Sequence, residues 1–176
     1  RKALLGPIAH LEPSDRQALH RLGIRLGPLD VFVPALLKPA AQHWRAAFLA
    51  VRSNQAMPRL PAPGAAVLAG DADPRGASLA YRRLGPQWLR IDLADRLASH
   101  ARKVRSARGE DPLDHALVTS LGLGEGAIAK LMAEVGFARA GDAWRWRGRR
   151  FPDARPGRRP VTPNAFADLA RLTRDR

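Results

Sequence analysis

The stretch GDAWRWRGRR at 141–150 alternates tryptophan with arginine directly after a Gly-Asp pair. On a β-strand successive side chains point to opposite faces, so Trp144 and Trp146 share one face while Arg145 and Arg147 share the other. One face is apolar and the other cationic. Two arrangements fit: a hairpin arm laid along a nucleic-acid backbone, or an edge strand with its tryptophans in a core and its arginines in water. Tryptophans in such a position seal the base of a small core, which leaves the arginines of the opposite face to carry any binding.

No other chemistry-bearing residues assemble into a catalytic set. The five histidines, His10, His20, His43, His100 and His115, show no HExxH or other paired spacing and fall mostly on helix faces. DPLDH at 111–115 offers two carboxylates and an imidazole to a metal, but helix capping accounts for Asp111 and Asp114. Asp71 and Asp73 have no third ligand nearby and read as turn formers. GLGEG at 122–126 resembles a phosphate-cradling loop only superficially, because it follows a helix instead of a strand and lacks the GK[ST] ending. The absence of cysteine removes disulfides, cysteine-ligated zinc and thiol catalysis together. The expectation is a chain that binds without catalysing and holds no cofactor of its own.

Charge says what it would bind. Thirty Lys and Arg against sixteen Asp and Glu give a net +14, nearly all from arginine. Residues 139–176 hold eleven arginines and four aspartates, a net +7 and half of the total. Such an excess favours a polyanion, since neutralising phosphates releases condensed counterions. The candidate binding residues are Lys130, Arg139, Arg145, Arg147, Arg149, Arg150, Arg155, Arg158 and Arg159. Apolar runs such as VFVPALL at 31–37 are too short to span a bilayer, and no signal-peptide pattern opens the chain. A cytoplasmic protein with no membrane partner is expected, and Arg1 in place of methionine suggests a piece of a longer polypeptide.

These residues need elements to hold them. Ser14-Asp15-Arg16-Gln17 has capping-box spacing before a short helix at 14–22 that stops at Gly23. DVFV at 30–33 is β-prone, Pro34 breaks it, and a helix begins near Pro39. Along that helix Ala41, Trp44, Ala47, Phe48 and Val51 recur at helical spacing, which predicts packing by the tryptophan face. Residues 53–77 carry prolines and glycines without period and read as a linker or long loop. LAYRRL and QWLRI flank Gly85-Pro86 as a hairpin, and Asp92 caps a helix running to about Arg108. Asp111 and Pro112 open a helix to Gly122, and a second helix runs from Glu125 to Gly136. FARAGDAWRWRG then forms a hairpin with Gly141-Asp142 in its turn.

Helix, turn, helix and hairpin is the order of a winged-helix core. The fold class expected is therefore mainly α with small β-hairpins: a helical and strand segment at 1–52, the linker at 53–77, a winged-helix-like module at 78–150, and a basic tail at 151–176. The tail is expected to be largely disordered, with Asn164 capping a short terminal helix.

Three stretches carry a resemblance. LGIRLGPLDVFVPALLKPAAQHWRAAFLAVR (22–52), YRRLGPQWLRIDLADRLASHAR (81–102) and LVTSLGLGEGAIAKLMAEVGF (117–137) resemble, in order and approximate spacing, the C-terminal part of bacterial superfamily-two ATP-dependent helicases related to the mitochondrial RNA-degradation helicase. The resemblance implies two RecA-like domains upstream that bind ATP and magnesium. It also implies that residues 30–52 pack against that motor while the basic C-terminal module holds RNA or DNA. No GxxxxGK[ST] occurs in this chain, so no motor residue of the family maps onto it. Two other readings stand beside this one: a protein-interaction platform docking on an acidic partner, and a winged-helix transcriptional regulator. The regulator is weakened because EGAIAKLMAEV offers only Lys130 as a base to read nucleic acid.

Overall fold

A computed structural model of the chain describes residues 11–105 and 111–148. Its architecture is mainly helical with small antiparallel sheets. The basic tail, with the helix expected after Asn164, lies outside the described residues.

Proline sets where the early helices begin. Helix α1 (Pro13–Arg21) opens on Pro13, and no side chain caps it, so the box expected at Ser14 is not used. A proline in the first turn gives up only an N–H that the helix would leave unpaired. Strands β1 (Arg25–Leu26) and β2 (Val31–Phe32) form a short antiparallel ribbon, and Pro34 turns the chain into a 3-10 turn (Pro34–Leu37). Helix α2 (Pro39–Ser53) then starts on Pro39, with Lys38 extended ahead of it as a residue before proline must be.

Helix α2 faces the opposite way from the expectation. Gln42 and Ala46 are its buried residues, while Trp44 and Phe48 are each 69 % exposed and Val51 is 81 % exposed. Polar reach holds it in place. Gln42 Nε2 donates to the Leu37 carbonyl and Arg45 Nη1 to the Leu79 carbonyl, both at 2.6 Å. Ala46 is small enough to let the helix come close on that side, which leaves the rings in solvent.

Residues 53–77, expected to be irregular, contain strand β3 (Val67–Ala69) and helix α3 (Pro74–Ala77). Asp73 caps α3, accepting from the Arg75 amide at 2.9 Å and from the Arg59 amide at 2.8 Å. Those two bonds hold its carboxyl below the usual range. Strand β3 pairs antiparallel with β5 (Gln87–Arg90), which pairs with β4 (Tyr81–Leu84) across the expected two-residue turn Gly85-Pro86. The sheet order is β3-β5-β4.

This sheet has a core on each side. Its register puts Val67, Arg82, Leu84 and Leu89 on one face and Leu68, Tyr81 and Trp88 on the other. The first face meets α4 (Ile91–Val104), α5 (His115–Leu121) and α6 (Glu125–Val135) in the main core, where Leu84, Leu89, Leu131, Met132 and Val135 are fully buried. Leu29, just before β2, joins them. The second face gathers Tyr81 and Trp88 with Ala77, Ala80 and Leu37.

Two caps differ from expectation. Helix α4 begins at Ile91 with Arg90 ahead of it, so Asp92 lies in the first turn and pairs with Arg90 at 2.7 Å. Helix α5 begins at His115 on Asp114, whose Oδ1 accepts from the Leu117 amide at 3.0 Å. Asp111 instead closes the preceding turn, accepting from the Leu113 amide and from His115 Nε2, each at 2.8 Å. Burial opposes its charge, but these bonds hold its carboxyl below the ordinary value.

Arg82 points into the main core as an ion. Its Nη1 meets Asp30 Oδ2 and its Nε donates to Glu134 Oε2, both at 2.7 Å. Asp30 is 2 % exposed, so this guanidinium ties the β1–β2 segment, the sheet and α6 together in low-dielectric surroundings. Near Asp30 lies Asp95 of α4, against which Gly27 packs so closely that a Cβ would overlap the carboxylate. Burial, aided by repulsion from Asp30, pushes the Asp95 carboxyl up to about 6, with Arg25 and Arg102 opposing.

A consequence can be measured. The folded chain holds the Asp95 proton more tightly than the unfolded chain does, so stability falls as pH rises through the interval from about 4 to about 6. At neutral pH the ionised group costs about 1–2 kcal/mol after allowance for solvent screening at a half-buried site. Asp95→Asn is therefore expected to raise the unfolding free energy at neutral pH and to flatten its pH dependence across that interval, as read by chemical denaturation.

Candidate nucleic-acid interface

The four candidates among the described residues, Lys130, Arg139, Arg145 and Arg147, belong to α6 and to the hairpin that follows it. Helix α5 ends at Gly122 and α6 begins after Gly124, and the connection is clamped from outside. The Gln87 side chain donates through Nε2 to the Gly122 carbonyl at 3.2 Å and accepts from the Gly124 amide at 2.8 Å. One amide thus satisfies a free carbonyl at the end of α5 and a free N–H at the start of α6. Sequence reading did not find Gln87, because nothing local marks a side chain that reaches across 37 positions.

Helix α6 stops at Gly136, where φ is 114°. A side chain there would be strained, and a Cβ would sit 2.9 Å from the Trp146 ring. This close approach lets the hairpin fold back on the helix. Strands β6 (Phe137–Ala140) and β7 (Ala143–Trp146) pair antiparallel across the expected Gly141-Asp142 turn, and the Arg147 amide continues onto the Gly136 carbonyl at 3.0 Å.

The hairpin sorts its side chains as the alternation predicts. Trp144 and Trp146 are half-buried and pack against the main core. Trp146 meets Phe137 edge to face with centroids 5.1 Å apart, and the Arg105 guanidinium lies 5.3 Å over its ring. Arg145 and Arg147 are exposed on the other face, and no hydrogen bond or ion pair engages their side chains among the described residues.

The remaining candidates divide. Arg139 is exposed, but it stands opposite Trp144 in the register and so belongs to the tryptophan face. Lys130 is exposed on α6 with its Nζ 3.8 Å from Glu134, the same carboxylate that binds Arg82. Arg149, Arg150, Arg155, Arg158 and Arg159 lie outside the described residues. The hairpin therefore carries Arg145 and Arg147 on one face and Arg139 on the other, while Lys130 stands on α6 beside Glu134.

Among the described residues no group of three or more His, Asp or Glu is placed to hold a metal ion, and no helix is long and apolar enough to cross a membrane. Comparison with protein-family models, curated proteins and solved structures gives no match to this chain.

Because the tryptophans pack against the core without full burial, their removal should register as stability first. Trp146→Ala is expected to lower the unfolding free energy by about 2–3 kcal/mol, less than the ~3–5 kcal/mol of a fully buried ring. At temperatures where the variant remains folded, its affinity for nucleic acid should match the parent's. A folded variant with weakened binding would make the ring a base-stacking platform.

Proposed function

We propose that α5, α6 and the β6–β7 hairpin act as a winged-helix-like module, and that the Arg145–Arg147 face of the hairpin grips the phosphate backbone of RNA or DNA without sequence preference. The observation that carries this reading is the separation of the hairpin's faces: tryptophans against the core, Arg145 and Arg147 exposed to solvent. Exposed guanidinium groups on one face of an antiparallel ribbon suit phosphate oxygens, contacts that fix position and carry no sequence information. The net +14 of the chain supports a polyanionic partner.

A sequence-reading role for α6 has less support. The basic residue that its exposed face offers is Lys130, and Glu134 lies beside it. Base-specific recognition favours Arg, Asn or Gln near the start of a recognition helix, and α6 begins Glu-Gly-Ala.

The resemblance of residues 22–52, 81–102 and 117–137 to superfamily-two helicases extends the proposal. In that reading the chain is an accessory region that holds the strand while RecA-like domains elsewhere in the polypeptide bind ATP and magnesium. The region itself performs no chemistry.

The test is a salt titration. The chain is expected to bind single-stranded RNA and duplex DNA with an affinity that falls linearly on a log–log salt plot. Arg145→Ala with Arg147→Ala should flatten that slope by about 0.7–0.9 for each phosphate no longer neutralised, with stability unchanged to within about 0.5 kcal/mol. Arg139→Ala should move the slope less. Equal binding by the double variant and the parent across the titration would remove the hairpin from the interface.

A further inference from the structure

A second surface lies on α2, and it is apolar. Trp44, Phe48 and Val51 stand at i, i+4 and i+7 and so form one stripe, opposite the buried Gln42 and Ala46. The two rings are in tilted contact, with centroids 6.4 Å apart. A contiguous exposed stripe of this kind marks a place where something docks, whereas single exposed apolar residues do not.

Electrostatics chooses the occupant. Between Asp30 and Asp71 the chain contains no acidic residue, while Lys38, Arg45, Arg52 and Arg59 supply four positive charges. Lys38 precedes the first turn of α2 and Arg52 lies in its last. By helical angle Arg52 and His43 flank the stripe on opposite sides. A second copy of the chain would bring the same net +14, and its arginine-rich residues 139–176 would bring the same sign. A stripe one helix wide suits a partner helix; an interfacial membrane anchor sinks a broader apolar face into the bilayer.

We propose that this stripe docks an amphipathic helix of a protein partner whose own apolar stripe is flanked by Asp and Glu. Lys38 and Arg52 are about 21 Å apart along the axis at 1.5 Å per residue, so the partner carries acidic side chains toward both ends of a stripe of about four turns. This surface is separate from the hairpin arginines and does not depend on the nucleic-acid reading.

A displayed library of helical peptides of about 16 residues, randomised on one face, tests it when selected on the full chain and counter-selected on the Trp44→Ser, Phe48→Ser double variant. The selected peptides are expected to place apolar residues at i, i+3 or i+4, and i+7 with Asp or Glu beside them. They should bind the parent at least about tenfold more tightly than the double variant by fluorescence anisotropy, and weaken again with Lys38→Glu and Arg52→Glu. The unfolding midpoint of the double variant should equal the parent's, since both rings are mostly exposed. Val51→Glu alone should weaken binding equally and keeps the test valid if the double variant unfolds. Peptides without acidic excess, or equally strong binding to the variants, would overturn the proposal. So would a parent chain that binds phosphatidylserine-rich vesicles but no peptide, or one that self-associates through the stripe.

Discussion

The guanidinium of Arg82 is the fixed point from which the candidate surface is oriented. It lies on the core face of β4, where an aliphatic side chain would ordinarily sit, and its two acidic partners come from opposite ends of the described chain. Burial opposes its charge, yet Asp30 and Glu134 together hold it protonated. A buried ion pair adds little net stability over apolar packing, but its directionality admits few alternative arrangements. Here it sets where the β1–β2 segment lies and how α6 is placed against the sheet. Gln87, on the neighbouring strand, then fixes the turn leading into α6, and Gly136 fixes the return out of it. The direction in which Arg145 and Arg147 project follows from that sequence of constraints.

The hairpin was legible because its signals are local. Alternation of tryptophan and arginine, a Gly-Asp turn and a preceding helix stop all fall between Gly136 and Arg147, and the β6–β7 register agrees with all of them. The two helix stops at Gly122 and Gly136 were readable for the same reason. Strand β3 was not: three residues of apolar run among prolines and glycines have no period, and only pairing with β5 makes them a strand. At the start of α5, Asp111 and Asp114 were both able to cap, and the choice between them rests on how Leu113 enters the core. Arg82 and Gln87 left no trace, since partners 52 and 35 positions away carry no periodic signature.

Helix α2 shows where apolar periodicity misleads. The period states that Trp44, Phe48 and Val51 share a face, and they do. It cannot state what covers that face, and here the body of the chain meets the opposite side through Gln42, Arg45 and Ala46. The molecule thus presents two unlike surfaces, a cationic ribbon suited to phosphates and an apolar stripe in a cationic setting suited to an acidic helix.

Of the two, the ribbon carries the functional account. The most direct measurement is an NMR titration of the arginine Nε–Hε resonances with single-stranded RNA, because it resolves each guanidinium separately in the intact chain. The account predicts that the signals of Arg145 and Arg147 shift and broaden together, with the β7 amides following and the α6 amides around Lys130 unmoved. Shifts centred on α6 or α2, with the hairpin arginines unchanged at saturation, would contradict it.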